Sequence, residues 1–396
     1  MLHMKTKLIV SAIMLALGST SVCAADVTLF GTAETSINIQ KFKGEKTTSK
    51  LATGDYYAAR IGIRGREDLG NGYKVRFTLE NGFDSGTGET IASFDKNSIF
   101  SREASVGLIT PYGEIGFGRF GSLSSGLGTY ALQYFASPYG NGFNELGFGN
   151  IFQFVPRTNN TIALVTPNFD GLDFRVLYSN GILDESTEGF GKNTKYLGIG
   201  AKYVKGNFGG TIFYERVMWP NMLETEDGGS PDDHQSLTMA ANYKFGNGVK
   251  LYGGYQYYTD ARMNYGMTTS TGGFPVWPQL TSGLGKKTVS QHGMEAHAFM
   301  TSLAIPLWGG RIMPGIGYVT GKDKAKEGSP KYNRFVGGVA YEYPLSKSTL
   351  IWMSSQFSKG GDLFDSKEKM SNRPNSRTYE QQFNSRSFIA GLVYRF

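Results

Sequence analysis

The side chains in this sequence with the clearest chemistry are arginines rather than nucleophiles. Arg60, Arg64 and Arg66 alternate with Ile61 and Ile63, and Arg76 stands between Val75 and Phe77 in a second alternating run. A guanidinium stays charged even when crowded, so several on one face set up a fixed positive field that attracts anions. Enzyme chemistry has little to build on. His234, His292 and His297 are the only histidines after residue 24. His292 and His297, five apart, fall on opposite faces of a strand, and HGMEAH is not a zinc-protease motif. Gly126-Leu127-Gly128-Thr129-Tyr130-Ala131 formally fits G-x-G-x-x-A, but no βαβ unit surrounds it and loop flexibility is the simpler reading. No catalytic residue, metal or cofactor is expected. Basic residues are dispersed without a nucleic-acid motif, which argues against that partner.

The elements that position the arginines are strands of period two. Tyr73, Val75, Phe77 and Leu79 oppose Lys74, Arg76, Thr78 and Glu80; Leu172, Phe174, Val176 and Tyr178 oppose Asp173, Arg175, Leu177 and Ser179. Charge at mid-strand on the second face suits a barrel with lipid outside and water inside better than a soluble sandwich core. Composition alone leaves those two open: 27 Phe, 23 Tyr and 54 Gly with one Cys suit either. Residues 1–24 read as a secretory leader, with Lys5 and Lys7, the apolar run Leu8–Leu17, and cleavage after Ala24. Ten apolar residues cannot span a bilayer. Cleavage removes the only Cys and takes the formal charge from +7 to +5. No disulfide can then form.

Two kinds of connection alternate along 25–396. Tight turns occur at 69–72, 110–113, 168–171, 205–207, 246–248, 308–310 and 345–348, rich in Gly, Asn and Asp. Long polar loops lie near 41–55, 84–97, 121–152, 182–192, 218–233, 259–291, 322–331 and 360–383. Seven turns and eight loops join sixteen strands, an even number that closes up-and-down. Phe388, Ala390, Leu392, Tyr394 and Phe396 form one apolar stripe on the last strand, which pairs with the first if no edge is left open. The fold class is therefore all-β, a transmembrane antiparallel barrel. Loop 121–152 is unusually long and too aromatic for disorder, with Tyr130, Tyr134, Phe135, Tyr139, Phe143, Phe148 and Phe152. It is expected to fold inward and narrow the lumen.

RIGIRGREDLGNGYKVRFTLENGF (60–83), VTLFG after the leader, GRFG (118–121) and the terminal YRF closely resemble the general porins of Gram-negative outer membranes, in their sixteen-stranded trimeric branch. The resemblance covers the whole mature chain. It implies a homotrimer in outer-membrane lipid and lipopolysaccharide, and passive diffusion of small hydrophilic solutes and inorganic ions. It also implies three basic wall residues facing an acidic third loop. By motif these are Arg60 in ARIG, Arg102 in SREASVGL and Arg157 in PRTNNTIALVTP, with Arg64 and Arg76 extending the ladder on the same parity. The loop departs from the family because Glu145 is the only acid between Gly121 and Arg157. Three or more arginines against one carboxylate predict anion preference.

Within the family a C-terminal Phe is read by the barrel-assembly machinery, which would make Phe396 a sorting signal as well as a lipid-facing residue. If Arg102 faces the lumen, simple alternation turns Glu103 outward, a misfit that a bulge or a subunit interface would resolve. Glu224, Glu226, Asp227, Asp232 and Asp233 share one loop, read as solvated, with divalent-cation and lipopolysaccharide binding as the alternative. A substrate-specific channel, an adhesin-like barrel and an outer-membrane hydrolase are the competing functions.

Overall fold

A computed structural model describes residues 26–91, 98–140, 145–147, 151–155, 157–182, 193–220, 223–225, 228–261, 287–288, 290–324, 327–329, 331–360 and 384–396. The expected leader, and Phe143 and Phe148 of the long loop, lie outside the described residues.

Sixteen strands follow one another: β1 (Asp26–Phe42), β2 (Arg60–Gly70), β3 (Tyr73–Gly82), β4 (Glu103–Thr110), β5 (Gly113–Phe120), β6 (Thr158–Val165), β7 (Leu172–Ser179) and β8 (Lys195–Lys205), then β9 (Phe208–Met218), β10 (His234–Lys244), β11 (Lys250–Ala261), β12 (Met294–Leu307), β13 (Gly310–Asp323), β14 (Lys331–Pro344), β15 (Thr349–Gly360) and β16 (Ser385–Arg395). Each pairs antiparallel with its neighbours in sequence, and β16 returns to β1 with Thr35 opposite Leu392. At the seam, Gly31 N–H donates to the Phe396 carbonyl at 2.9 Å and Phe396 N–H donates back at 3.2 Å. β2 covers only Asp26–Thr32 of β1, and a short strand, Thr48–Ala52, takes over alongside Ser36–Gln40. A closed ladder leaves no unpaired edge, which is the condition for crossing hydrocarbon with strands.

Six of the seven short connections hold residues at positive φ. Asn71 and Gly72 have φ of 52° and 82°, and Trp308 and Gly309 have 49° and 78°, the signs required at both centres of a tight hairpin.

Alternation places different chemistry on the two faces. Across six strands, Ile212, Met239, Tyr255, Phe299, Tyr318 and Phe335 stand in register as one outward row. Five of the six are exposed, Phe299 to 47%, and Tyr255 is half-buried. One residue along, Thr238, Gln256 and Arg334 point inward and are buried. A one-residue slip would exchange the rows, putting Arg334 on lipid at a cost of about 2–4 kcal/mol near mid-bilayer.

The interior is not an empty tube. Its buried clusters form between inward strand residues and the stretch 120–155: Phe135 and Phe152 meet Tyr258, Met300 and Val319; Leu123, Tyr130 and Leu132 meet Ala163, Tyr196 and Phe213; Tyr139 and Leu146 meet Met313 and Trp352.

Candidate functional site

The described residues of 121–155 are held against the inward face by side chains that seat on glycines. A Cβ at Gly200 of β8 would come within 2.8 Å of Leu132, and one at Gly209 of β9 within 2.8 Å of Phe135. On β13, a Cβ at Gly315 would sit 2.7 Å from Tyr139, and one at Gly317 would overlap Ile151. The Tyr139 hydroxyl donates to the Met313 carbonyl at 2.6 Å, and Asn242 Nδ2 donates to the Phe135 carbonyl at 3.3 Å. Close-packed interiors tolerate little added volume, so glycine on these inward positions is what admits the aromatic rings.

At the root of the segment, β2 and β3 present Arg60 and Glu80, whose Nε and Oε2 lie 3.4 Å apart. Arg102 pairs with the other oxygen of the same carboxylate. Arg157 is nearly enclosed, with Arg102, Glu80 and Glu103 in electrostatic reach. Burial first, and then the Arg102 guanidinium, pull its pKa down to about 9, which still leaves it cationic at neutral pH. Gly121 makes room for it: a Cβ there would lie 3.0 Å from Arg157 Nη1.

Glu103 corrects the alternation argument. It sits opposite Glu80 in the β3–β4 ladder and is buried, so it faces inward. The β4 strand starts at Glu103, and Arg102 belongs to the irregular lead-in, where its N–H donates to the Glu80 carbonyl at 3.0 Å. Strand parity therefore does not carry back from Glu103 to Arg102, and both side chains reach the interior. The Glu103 carboxylate accepts hydrogen bonds from the Thr129 hydroxyl at 2.5 Å and its N–H at 3.3 Å, tying down the segment.

Arg76 makes a separate group. Its Nε donates to Glu114 at 2.7 Å and its Nη2 to the Tyr130 hydroxyl at 2.6 Å, while that hydroxyl donates to Glu114 at 2.7 Å. Arg175, paired with Asp173 at 2.8 Å, donates to the Tyr130 carbonyl at 3.0 Å. Arg64 stands apart from both groups, its guanidinium 4.9 Å over the Phe30 ring. Glu145 is not brought to the arginines. It accepts from Ser385 at 2.6 Å, Ser387 at 2.5 Å and Gln40 at 3.3 Å, on the wall formed by β16 and β1. The acids beside the expected arginines are instead the strand residues Glu80, Glu103 and Glu114. Counting acids in the loop alone missed them, although the inward parity of Glu80 was readable from the 73–80 alternation.

A second cationic group was not anticipated. Arg311 on β13 pairs with Glu342 at 2.5 Å, and the Tyr56 hydroxyl donates to the same carboxylate. Lys244 and Lys250 line the same cavity as Arg311. Their signal in the sequence was inward parity at strand ends, next to the turns 246–248 and 308–310.

The histidines also differ from the strand reading: His297 lies on β12 with its Nδ1 2.9 Å from the Tyr255 hydroxyl, whereas His292 precedes the strand. His292, Asp232 and Asp260 bring possible ligand atoms within 4.8 Å of one another, but Lys324 already sits 3.2 Å from Asp260. In the acidic loop, Asp233 pairs with Arg216 at 2.5 Å.

A model of the Gram-negative porin family matches residues 10–360. An outer membrane porin protein of Bordetella pertussis is 27% identical over 388 residues, covering 90% of this chain and 94% of the relative. Among solved structures, the anion-selective porin from Comamonas acidovorans aligns over 94% of this chain and 100% of its own, with a TM-score of 0.65 at 21% identity. OmpT of Vibrio cholerae in its trimer form aligns over 94% of this chain and 100% of its own, with a TM-score of 0.61 at 10% identity. At those identities the structural likeness bears on the fold alone.

Proposed function

The chain belongs to the Gram-negative porin family, forming a passive channel in the outer membrane, and from that premise we propose that segment 121–152 constricts the pore and that the pore prefers anions. Solutes are sorted by size at the constriction and by charge in the field of Arg60, Arg102 and Arg157; no bond is made and no energy source is coupled. One observation carries the charge reading. Three guanidiniums share two wall carboxylates, Glu80 and Glu103, while Glu145 is held by serines elsewhere. The surplus is smaller than the loop alone suggested, but its sign is unchanged. Arg64 adds positive potential farther along the wall, while Arg76 is neutralised by Glu114. The Comamonas relative is described as anion-selective, which agrees with this sign.

Reversal potentials across planar bilayers in a KCl gradient test the proposal. Anion selectivity is expected, and a cation-selective sign would overturn it. We further propose a homotrimer, in line with the trimer form of the Vibrio relative. Phe396 would then serve assembly: its ring is half-exposed and packs over Gly31, where a Cβ would overlap it. The mature domain is proposed to begin at residue 25, which N-terminal sequencing of the membrane form would check.

A further inference from the structure

Next to segment 121–152, at the end of the lumen nearest the short turns, lies a cavity of about 570 Å³. Its walls combine two kinds of chemistry. Lys244, Lys250 and Arg311 bring positive charge, while Tyr57, Tyr134 and Tyr252 bring rings. Among its described lining residues there is no aspartate or glutamate. Glu342 stands beside Arg311 and fixes its direction, assisted by Tyr56. Neither lysine has a carboxylate partner among the described residues. Lys250 Nζ lies 4.9 Å over the Tyr252 ring, and the Arg395 guanidinium covers Tyr57 at 4.3 Å. Tyr134 leans on the Phe135 ring, centroids 4.5 Å apart, and keeps 45% of its surface exposed.

We propose that this cavity is a binding subsite for small aromatic carboxylates on their way through the channel. A carboxylate placed between the lysines gains charge-assisted hydrogen bonds that no wall acid competes for. A ring attached to it can stack on Tyr134, which an inorganic anion or acetate cannot do. The volume is of the order that holds a one-ring solute, and the mixture of apolar walls with a few convergent polar groups is that of a ligand pocket. The subsite rests on the constriction reading, because Tyr134 reaches the cavity from segment 121–152.

The test is block of single-channel KCl current by benzoate, with acetate and cyclohexanecarboxylate as controls, on the full chain in planar bilayers. Benzoate is expected to block at about tenfold lower concentration than either control. Tyr134→Ala should remove most of that difference and leave acetate block nearly unchanged, whereas Lys250→Gln should weaken block by benzoate and acetate alike. Equal block by all three acids would overturn the proposal, as would a benzoate preference that survives Tyr134→Ala. Tyr134 is an exposed loop residue, so its variant carries the test if Lys250→Gln does not insert. The reversal potential, measured in KCl before any blocker is added, reports on anion preference separately: a cation-selective sign there refutes that reading without deciding the benzoate comparison.

Discussion

Around Glu80 the guanidiniums of Arg60 and Arg102 are paired and mostly covered, with side chains 20% and 14% exposed, and Arg157 is buried behind them. Lys244, Lys250 and Arg311 are arranged differently: they border open space, and among the described residues only Arg311 has an acid. Both groups are cationic and both face the lumen, yet they serve different ends. The covered group ties the wall to the base of segment 121–155, and its charge is felt through the field. The open group meets the solute. Positive charge that is spent on structure cannot also be offered for contact, so a pore needing both supplies the two from different strands.

Glu80→Gln should separate them most sharply. It leaves Arg60 and Arg102 without their common carboxylate, and removing one partner of a buried ion pair is costly, here about 3 kcal/mol. The urea-unfolding free energy in lipid vesicles should fall by that amount, while the reversal potential becomes more anionic. No change in stability would mean that the covered arginines are only wetting the wall.

Gly317→Val comes next and touches no charge. The added carbons collide with Ile151, and overpacking of this kind costs about 2 kcal/mol. If the segment is displaced, single-channel conductance rises and the benzoate preference is lost, because Tyr134 moves with it. The anion-selective sign should persist, since Arg60 and Arg102 stand on the wall side. Loss of that sign would show that the field depends on where the segment lies.

The double substitution Lys244→Gln with Lys250→Gln should have the reverse profile. These are solvated residues at strand ends, so stability should change by less than about 0.5 kcal/mol. Anion preference should weaken measurably. If stability falls as far as in Glu80→Gln, the open group is structural too and the distinction fails.

Much of the barrel was legible because its signals are local. Alternation within 60–66 and 73–80 identifies an inward and an outward face, and Asn71-Gly72 marks a hairpin without reference to anything distant. Closure follows once the first and last strands are both amphipathic. The site was legible to a lesser degree. Arg60, Arg102 and Arg157 were located by motif, but their acids were not, because parity was counted from Arg102 when the strand starts at Glu103. Placing Glu145 required knowing that the chain crosses the lumen to Ser385 and Ser387, more than two hundred residues away in sequence. The glycine notches have the same character. That the chain is rich in glycine is plain, but that Gly209 receives Phe135 and Gly315 receives Tyr139 depends on how loop and wall come together.

The smallest expected effect concerns the link between the two cationic groups. Residues 53–57 connect them, with Arg60 just beyond one end and Tyr57 at the cavity. Asp55 holds this link to β1 by accepting from Ser36 at 2.7 Å and Asn38 at 3.2 Å. Burial raises the Asp55 pKa above the usual carboxylate value, outweighing the Ser36 and Asn38 hydrogen bonds that lower it. A folded-state pKa above the unfolded one means that the folded protein binds the proton more readily. Its contribution to stability is then complete at acid pH and is lost as pH rises through the folded value. Unfolding free energy, measured in lipid from neutral to mildly acid pH, should therefore climb more steeply in the wild type than in Asp55→Asn, which cannot titrate. Parallel pH profiles would show that Asp55 is well enough solvated to carry its charge freely, and that the link between the two groups is looser than its hydrogen bonds imply.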